Sequence, residues 1–409
     1  MSPSLRQRHR ARTTRAKIAL GVLVAMLALG AVEIALRGID AARPTPSDGG
    51  SLDPGLLAAH RTRLWAMKPG DHKNDLTTYA INELGLRGPR PAVPRPADTE
   101  RILLLGDSTW FGFEVDDSAT LAVRLEARLT QRGFGVDVVN AGVPGYSTEQ
   151  TRVLLEEVGW SLEPTLLLIG NLWSDSSFDI RSDADLLHDW KFAAGILLAR
   201  SALVRWLAAG TAWLKDDAGA QMLTWPTLGA APESGQRRVP LRDYAANLDS
   251  MIRDARTRGV GVALLAPGNR SVVLLGPESP ASWNVYFAAQ ERIAAHHGIP
   301  LVRGHEALRA AATTTGLEAL FADDLHPSAL GQEVLAAATE EVLVTAGWPG
   351  ERLLGSADPL DLGVFVDDTP AHLRGAPPDR SVLEMLLGPS PPPAEKEPES
   401  GQGSDGSSR

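Results

Sequence analysis

The stretch Arg101-Ile-Leu-Leu-Leu-Gly106-Asp107-Ser108 constrains this chain more than any other. Four consecutive apolar residues after Arg101 suit a short strand covered on both faces, as in a parallel sheet. The strand stops on a glycine, an acid and a serine. Gly106 lets the backbone leave in a tight turn, which sets Ser108 at the carboxyl edge of the sheet, the edge where open α/β sheets bind ligands. A serine in that place is either a helix cap or a nucleophile.

The surroundings of this strand predict an α/β fold. A helix is expected near 118–131, with Leu121, Leu125 and Leu129 on one face. The next strand is 136–142, VDVVNAG, and Ser147-Thr-Glu-Gln150 has the pattern of a capping box. Pro164 introduces a third strand, Leu166 to Ile169. Later come a helix around 241–258, a strand 260–265, a helix around 283–297, a strand 300–302 and a last helix from about 328 to 346. Strands alternating with helices of this length predict a parallel sheet with helices on both faces.

The ends of the chain are different in kind. Arg6, Arg8, Arg10, Arg12, Arg15 and Lys17 form a basic stretch, 1–17, before the apolar run 18–36, whose single acid is Glu33. That run has the length of a transmembrane signal-anchor, and the basic stretch ahead of it would stay in the cytoplasm and place the rest outside. A cleaved signal peptide, with Ala28-Leu29-Gly30 as the cleavage site, is the competing reading and would give a secreted protein. Residues 37–99 read as a linker and N-terminal extension, 100–350 as the main domain with a helical insertion at 176–240, and 351–409 as a low-complexity, disordered tail. Within the insertion, the apolar run 192–214 contains Arg200 and Arg205, which makes it a poor second span and a better amphipathic cover or lid, with a membrane-surface helix as the alternative. A net charge of −10 argues against a nucleic-acid partner, and the absence of cysteine removes disulfides, thiolate nucleophiles and Cys-ligated zinc.

A nucleophilic serine needs a base, and Phe321-Ala-Asp323-Asp324-Leu325-His326-Pro327 supplies a candidate just before the last helix. An acid three residues before a histidine can accept the Nδ1 proton, which leaves Nε2 free to take a proton from a serine. Asp323 has that spacing to His326.

With these residues in view, the segment 100–347 resembles the SGNH (GDSL-type) hydrolase superfamily. Gly106-Asp107-Ser108 and Gly112 match its first block, Val139-Asn140-Ala141-Gly142-Val143-Pro144-Gly145 its second, and Asp323-Asp324-Leu325-His326-Pro327 its last. Asn82-Glu-Leu-Gly85-Leu-Arg87-Gly88 and the apolar run are similar to its anchored, exported members. The resemblance implies a flavodoxin-like three-layer α/β/α sandwich, ester hydrolysis by Ser108, His326 and Asp323, and an oxyanion hole from the Ser108 and Gly142 amides plus an asparagine side chain. The third block departs from the family's Gly-x-Asn-Asp: the chain reads Gly170-Asn171-Leu172-Trp173-Ser174-Asp175. Asn171 is the candidate donor, and Ser174, a hydroxyl where the family has an amide, is the alternative. No cofactor or metal is implied. The expected substrate is an acyl ester, O-acetyl on a polysaccharide or another acylated small molecule. Acyl transfer to a glycan, or a weakly catalytic glycan-binding module, are the alternatives.

Other residues take the bland reading. Adjacent His296 and His297, with His305 nearby, point to different faces and make a poor zinc site. Asp179, Asp183 and Asp185 read as a solvated loop. Trp110 and Trp173 are candidates for lining a cleft, with core packing as the default.

Overall fold

The computed structural model describes residues 3–42, 56–73, 77–179, 181–189, 201–203, 206, 236–276, 281 and 283–370. Its centre is a five-stranded, all-parallel sheet: β5 (Glu100–Gly106), β6 (Val136–Gly142), β7 (Leu166–Ile169), β10 (Gly261–Ala266) and β11 (Leu301–Arg303). The spatial order is β11-β10-β7-β5-β6. Counted along the chain this is the flavodoxin-like order, and the direction of winding reverses between β5 and β7. The switch point therefore lies beside the carboxyl end of β5.

The apolar runs are buried on both faces, as a parallel sheet requires. Leu103, Leu105, Leu167, Ile169, Val262 and Leu264 pack into one core with residues of α4 (Thr148–Glu157) and of the helices Leu241–Thr257 and Asn284–His297. Ile102, Leu104, Leu166, Leu168, Ala263 and Leu265 pack into the other with α3 (Leu121–Gln131) and the helices Gly304–Thr315 and Ala329–Thr345. Each strand thus splits its side chains by alternation, and the result is three layers. Arg101, at the start of β5, is fully buried because its guanidinium meets Asp137 at 2.7 Å and donates to the carbonyls of Ala92 and Leu162.

Several boundaries move. Helix α1 runs Pro3–Ala42, so the helical conformation continues through both flanks of the apolar run. The helix expected from 118 starts at Leu121, where Thr120 caps it through the Val123 amide, after a short turn over Asp117–Ala119. The extension is built into the domain. It forms two hairpins, β1 (Leu57–His60) with β2 (Leu64–Met67) and β3 (Gly70–Lys73) with β4 (Thr78–Ile81), and buries Leu56, Trp65, Tyr79 and Leu86 in the first core.

Residues 351–370, assigned by sequence to the tail, also pack. The Leu353 carbonyl accepts from the Val262 amide, Phe365 is buried, and Asp367 pairs with Arg237 at 2.8 Å. Low periodicity hides this strap because its contacts are made one residue at a time. Residues 371–409 lie outside the described residues. Of the insertion, β8 (Phe178–Asp179) and β9 (Gln236–Arg237) pair to close its base, while most of the run 192–214 lies outside the described residues.

Candidate active site

Strand β5 ends on Gly106 at φ +151°, and a Cβ there would stand 2.3 Å from Trp110 Cδ1, so only glycine fits this exit. Asp107 then caps α2 (Ser108–Phe111) by accepting the Thr109 amide at 3.1 Å. Ser108 opens this helix, so its N–H has no intrahelical acceptor. The turn is clamped to the neighbouring strand: the Trp110 indole N–H donates to the Gly170 carbonyl, and Gly142 packs so tightly that a Cβ would meet the Phe111 nitrogen at 2.5 Å.

The loop before the last helix comes to the same edge. Ser108 Oγ lies 2.8 Å from His326 Nε2, and His326 Nδ1 lies 2.7 Å from Asp323 Oδ2. The other Asp323 oxygen accepts the amides of Leu325 at 2.7 Å and His326 at 2.6 Å. Burial alone would push the Asp323 carboxyl up, but the His326 imidazole and these amides hold it below the usual carboxylate range. A carboxylate on Nδ1 accepts the hydrogen bond of Nδ1–H, which keeps the proton there and leaves the Nε2 lone pair toward Ser108. The turn is closed by the Ala322 amide on the His326 carbonyl at 2.9 Å, and Ser328 caps the following helix through the Gly331 amide. The structure thus brings Ser108, Asp323 and His326 into one hydrogen-bonded chain.

The oxyanion candidates divide. Gly142 pairs in register with Gly106, beside Ser108, with its N–H donated to Asn140 Oδ1 at 3.0 Å. Asn171 is displaced from the expected role. Its side-chain amide donates to the Tyr146 carbonyl at 3.1 Å, its backbone carbonyl accepts from the Tyr244 hydroxyl at 2.8 Å, and the residue has no exposed surface. It braces the loop after β7 and presents no donor to the cleft. The reason is its position, one residue past Gly170, where the chain is still in the core. Ser174 lies further on, in α5 (Trp173–Ser176), and its hydroxyl has no hydrogen-bond partner among the described residues. The Trp173 amide beside it is close enough to Asp107 to favour that carboxyl's charged form.

Two buried acids near the serine were missed as such. Burial pushes Asp107 up to about 6, against the opposing effects of the Thr109 amide and His326. Burial likewise pushes Asp175 up to about 8, although it accepts both the Thr148 amide and hydroxyl. The sequence shows these residues but not their burial.

On the other side of His326 stands a wall that the sequence reading did not assign. The Phe113 ring lies 4.9 Å from the imidazole and also stacks on Tyr79. Glu114 follows at φ +62°, its N–H donated to the Tyr79 hydroxyl, and burial together with the Asp323 charge pushes its carboxyl up. Arg87 organises this loop. Its buried guanidinium donates to the carbonyls of Phe111, Gly112 and Val115 and to Asp117 Oδ1, and it lies over the rings of Tyr79 and Phe111. The only sequence signal was the segment Asn82–Gly88 itself.

The remaining candidates fall elsewhere. Trp110 is a core residue, whereas Trp173 packs edge-on against Trp283 and Phe287. His297 pairs with Asp249 at 2.9 Å and His305 packs on Phe287, so these histidines do not converge. No group of three metal-binding side chains occurs among the described residues. Asp183 corrects the solvated-loop reading: it is buried in an ion pair with Arg238 at 2.7 Å.

No protein-family model matches the chain, and no curated protein matches it. Solved structures do. An α/β hydrolase enzyme, LAE5, from the metagenome of Lake Arreo is 18% identical over 63% of this chain and 97% of its own, with a TM-score of 0.38. The acetylxylan esterase Axe2 from Geobacillus stearothermophilus is 18% identical over 61% of this chain and 95% of its own, TM-score 0.39. A lipase/acylhydrolase from Enterococcus faecalis is 20% identical over 60% and 96%, TM-score 0.38.

Proposed function

We propose that this chain is a serine ester hydrolase of the SGNH type, held outside the cytoplasm by α1. The observation that carries the proposal is the relay from Asp323 through His326 to Ser108, at 2.7 and 2.8 Å, at the topological switch point of a parallel sheet.

The chemistry follows from the geometry. Nε2 of His326 takes the Ser108 proton as Oγ attacks the ester carbonyl, and the imidazolium is stabilised by the Asp323 carboxylate. The proton then passes to the departing alcohol, leaving an acyl group on Ser108. Water attacks the acyl group by the same path in reverse. The oxyanion is received by the Ser108 and Gly142 amides, with the Ser174 hydroxyl as the third donor in place of Asn171. The Gly142 amide turns from Asn140 toward the substrate oxygen in that step. One hydroxyl in place of an amide offers a single donor, so a modest rate is expected.

The membrane part rests on the helical span Ala16–Ile39, which is long and apolar enough to cross a bilayer, and on the basic stretch before it. The proposed substrates are acyl esters, O-acetyl groups of a cell-surface or secreted polysaccharide first among them, by location and by the family resemblance.

The test is turnover of a short-chain chromogenic ester by the purified full-length chain, beside Ser108→Ala and His326→Ala. Activity surviving both substitutions refutes the proposal. Acyl transfer to an added sugar, exceeding hydrolysis, would redirect it to an acyltransferase. Glycan binding without any turnover would redirect it to a binding module.

A further inference from the structure

Glu33 is the one acid in the apolar run 18–36, and a carboxylate at membrane depth has to be given partners. Helix α1 provides one, Arg37, at 2.8 Å one turn on. The insertion provides three more: the Ser201 hydroxyl donates at 2.8 Å, the Ala202 amide at 2.8 Å and the Leu203 amide at 3.0 Å. The packing agrees with the bonding. Among the α1 side chains described, Glu33 and Leu36, one turn apart on the same face, are the two that are partly covered, and Ala202 is buried. The exposed apolar side chains of α1 keep between 44% and 73% of their surface, as a lipid-facing helix would.

We propose that Glu33 is a latch by which the insertion docks back onto the membrane helix, making the anchor a structural partner of the catalytic domain. This rests on the reading of α1 as a membrane span. The insertion leaves the domain at β8, one residue beyond α5, which carries Trp173 and Ser174. Holding residues 201–203 on α1 ties the insertion, and through it the domain that carries the insertion, to the membrane helix.

The absence of cysteine from the chain makes the latch testable in native membranes. A full-length Leu36→Cys/Leu203→Cys protein is treated with a short bismaleimide, and the internal cross-link is read by peptide mass spectrometry. Ile34→Cys/Leu203→Cys, on an uncovered face, is the control. The Leu36 pair is expected to link and the Ile34 pair not. Adding Glu33→Ala should lower the yield about tenfold or more, through loss of a carboxylate that gathers two amides and a hydroxyl. Turnover of a soluble ester by Glu33→Ala should be unchanged, which reports an intact domain. Equal linking from both pairs, linking from neither, or a yield indifferent to Glu33→Ala in protein that resists carbonate extraction overturns the latch. Protein released by carbonate overturns the anchor reading itself, and the latch with it.

Discussion

Phe113 lies against His326, with ring centroids 4.9 Å apart and planes tilted by 46°. The imidazole is therefore fixed on two sides, by the Asp323 carboxylate at Nδ1 and by an aromatic face. Removing the face leaves the hydrogen bonds possible but the ring free to tilt. Phe113→Ala is expected to lower kcat between about 10- and 100-fold with a smaller change in KM, since small misplacements of a reacting group are costly. Steady-state kinetics on a soluble ester decide it. An unchanged kcat would show that Asp323 alone orients the ring.

Asp107 titrates where it can be measured. Its buried carboxyl is pushed up to about 6. A raised carboxyl pKa means that the folded state binds the proton more tightly than the unfolded state. Asp107 is therefore neutral to stability below about pH 4, and stability is lost as pH rises from there to about 6 and stays lost above it. Asp107→Asn keeps an oxygen for the Thr109 amide without the charge. It should stabilise the fold above pH 6 by about 3 kcal/mol, with the difference vanishing below about pH 4. Denaturant titrations at pH 4, 6 and 8 are the check, and a pH-independent difference would contradict it.

Ser174 and Asn171 should fail differently. Ser174→Ala removes the hydroxyl proposed as the third oxyanion donor and is expected to cost about 100-fold in kcat at nearly unchanged stability. Asn171→Ala leaves the buried Tyr146 carbonyl without its donor and is expected to cost about 1–3 kcal/mol of stability. Kinetics and thermal unfolding on both variants separate the roles. A kcat loss confined to Asn171→Ala would restore the asparagine as the donor.

The Asp183–Arg238 pair is buried on both sides. Asp183→Ala strands a guanidinium in the core and should destabilise by about 3–5 kcal/mol, while a paired Asp183→Leu/Arg238→Met variant recovers much of that loss. Urea unfolding of both variants measures it.

Much of the fold was legible because burial on two faces writes itself as unbroken apolar runs. Ile102–Leu105 and Leu166–Ile169 had to be strands of a covered sheet, and Leu121, Leu125 and Leu129 had to face it. The two halves of the site were legible for a related reason. Gly106-Asp107-Ser108 ends a strand, and Asp323 reaches His326 through short-range turn geometry. Residues 351–370 and 56–88 were not legible as parts of the domain. Their order comes from single long-range contacts, such as Asp367 to Arg237 and Arg87 to the 111–117 loop, which leave no periodicity behind.

By itself the sequence determined the strand that stops at Ser108, the acid and histidine of the late loop, and the apolar helix that precedes them all. Each of these depends on neighbours close in the chain. Only the tertiary structure decided how Asn171 is engaged, because that depends on where a loop turns after leaving the core. Asn171 donates to the Tyr146 carbonyl, and Ser174 follows it in α5. The partners of Glu33 were likewise decided at a distance, by residues 201–203, which no local pattern could announce.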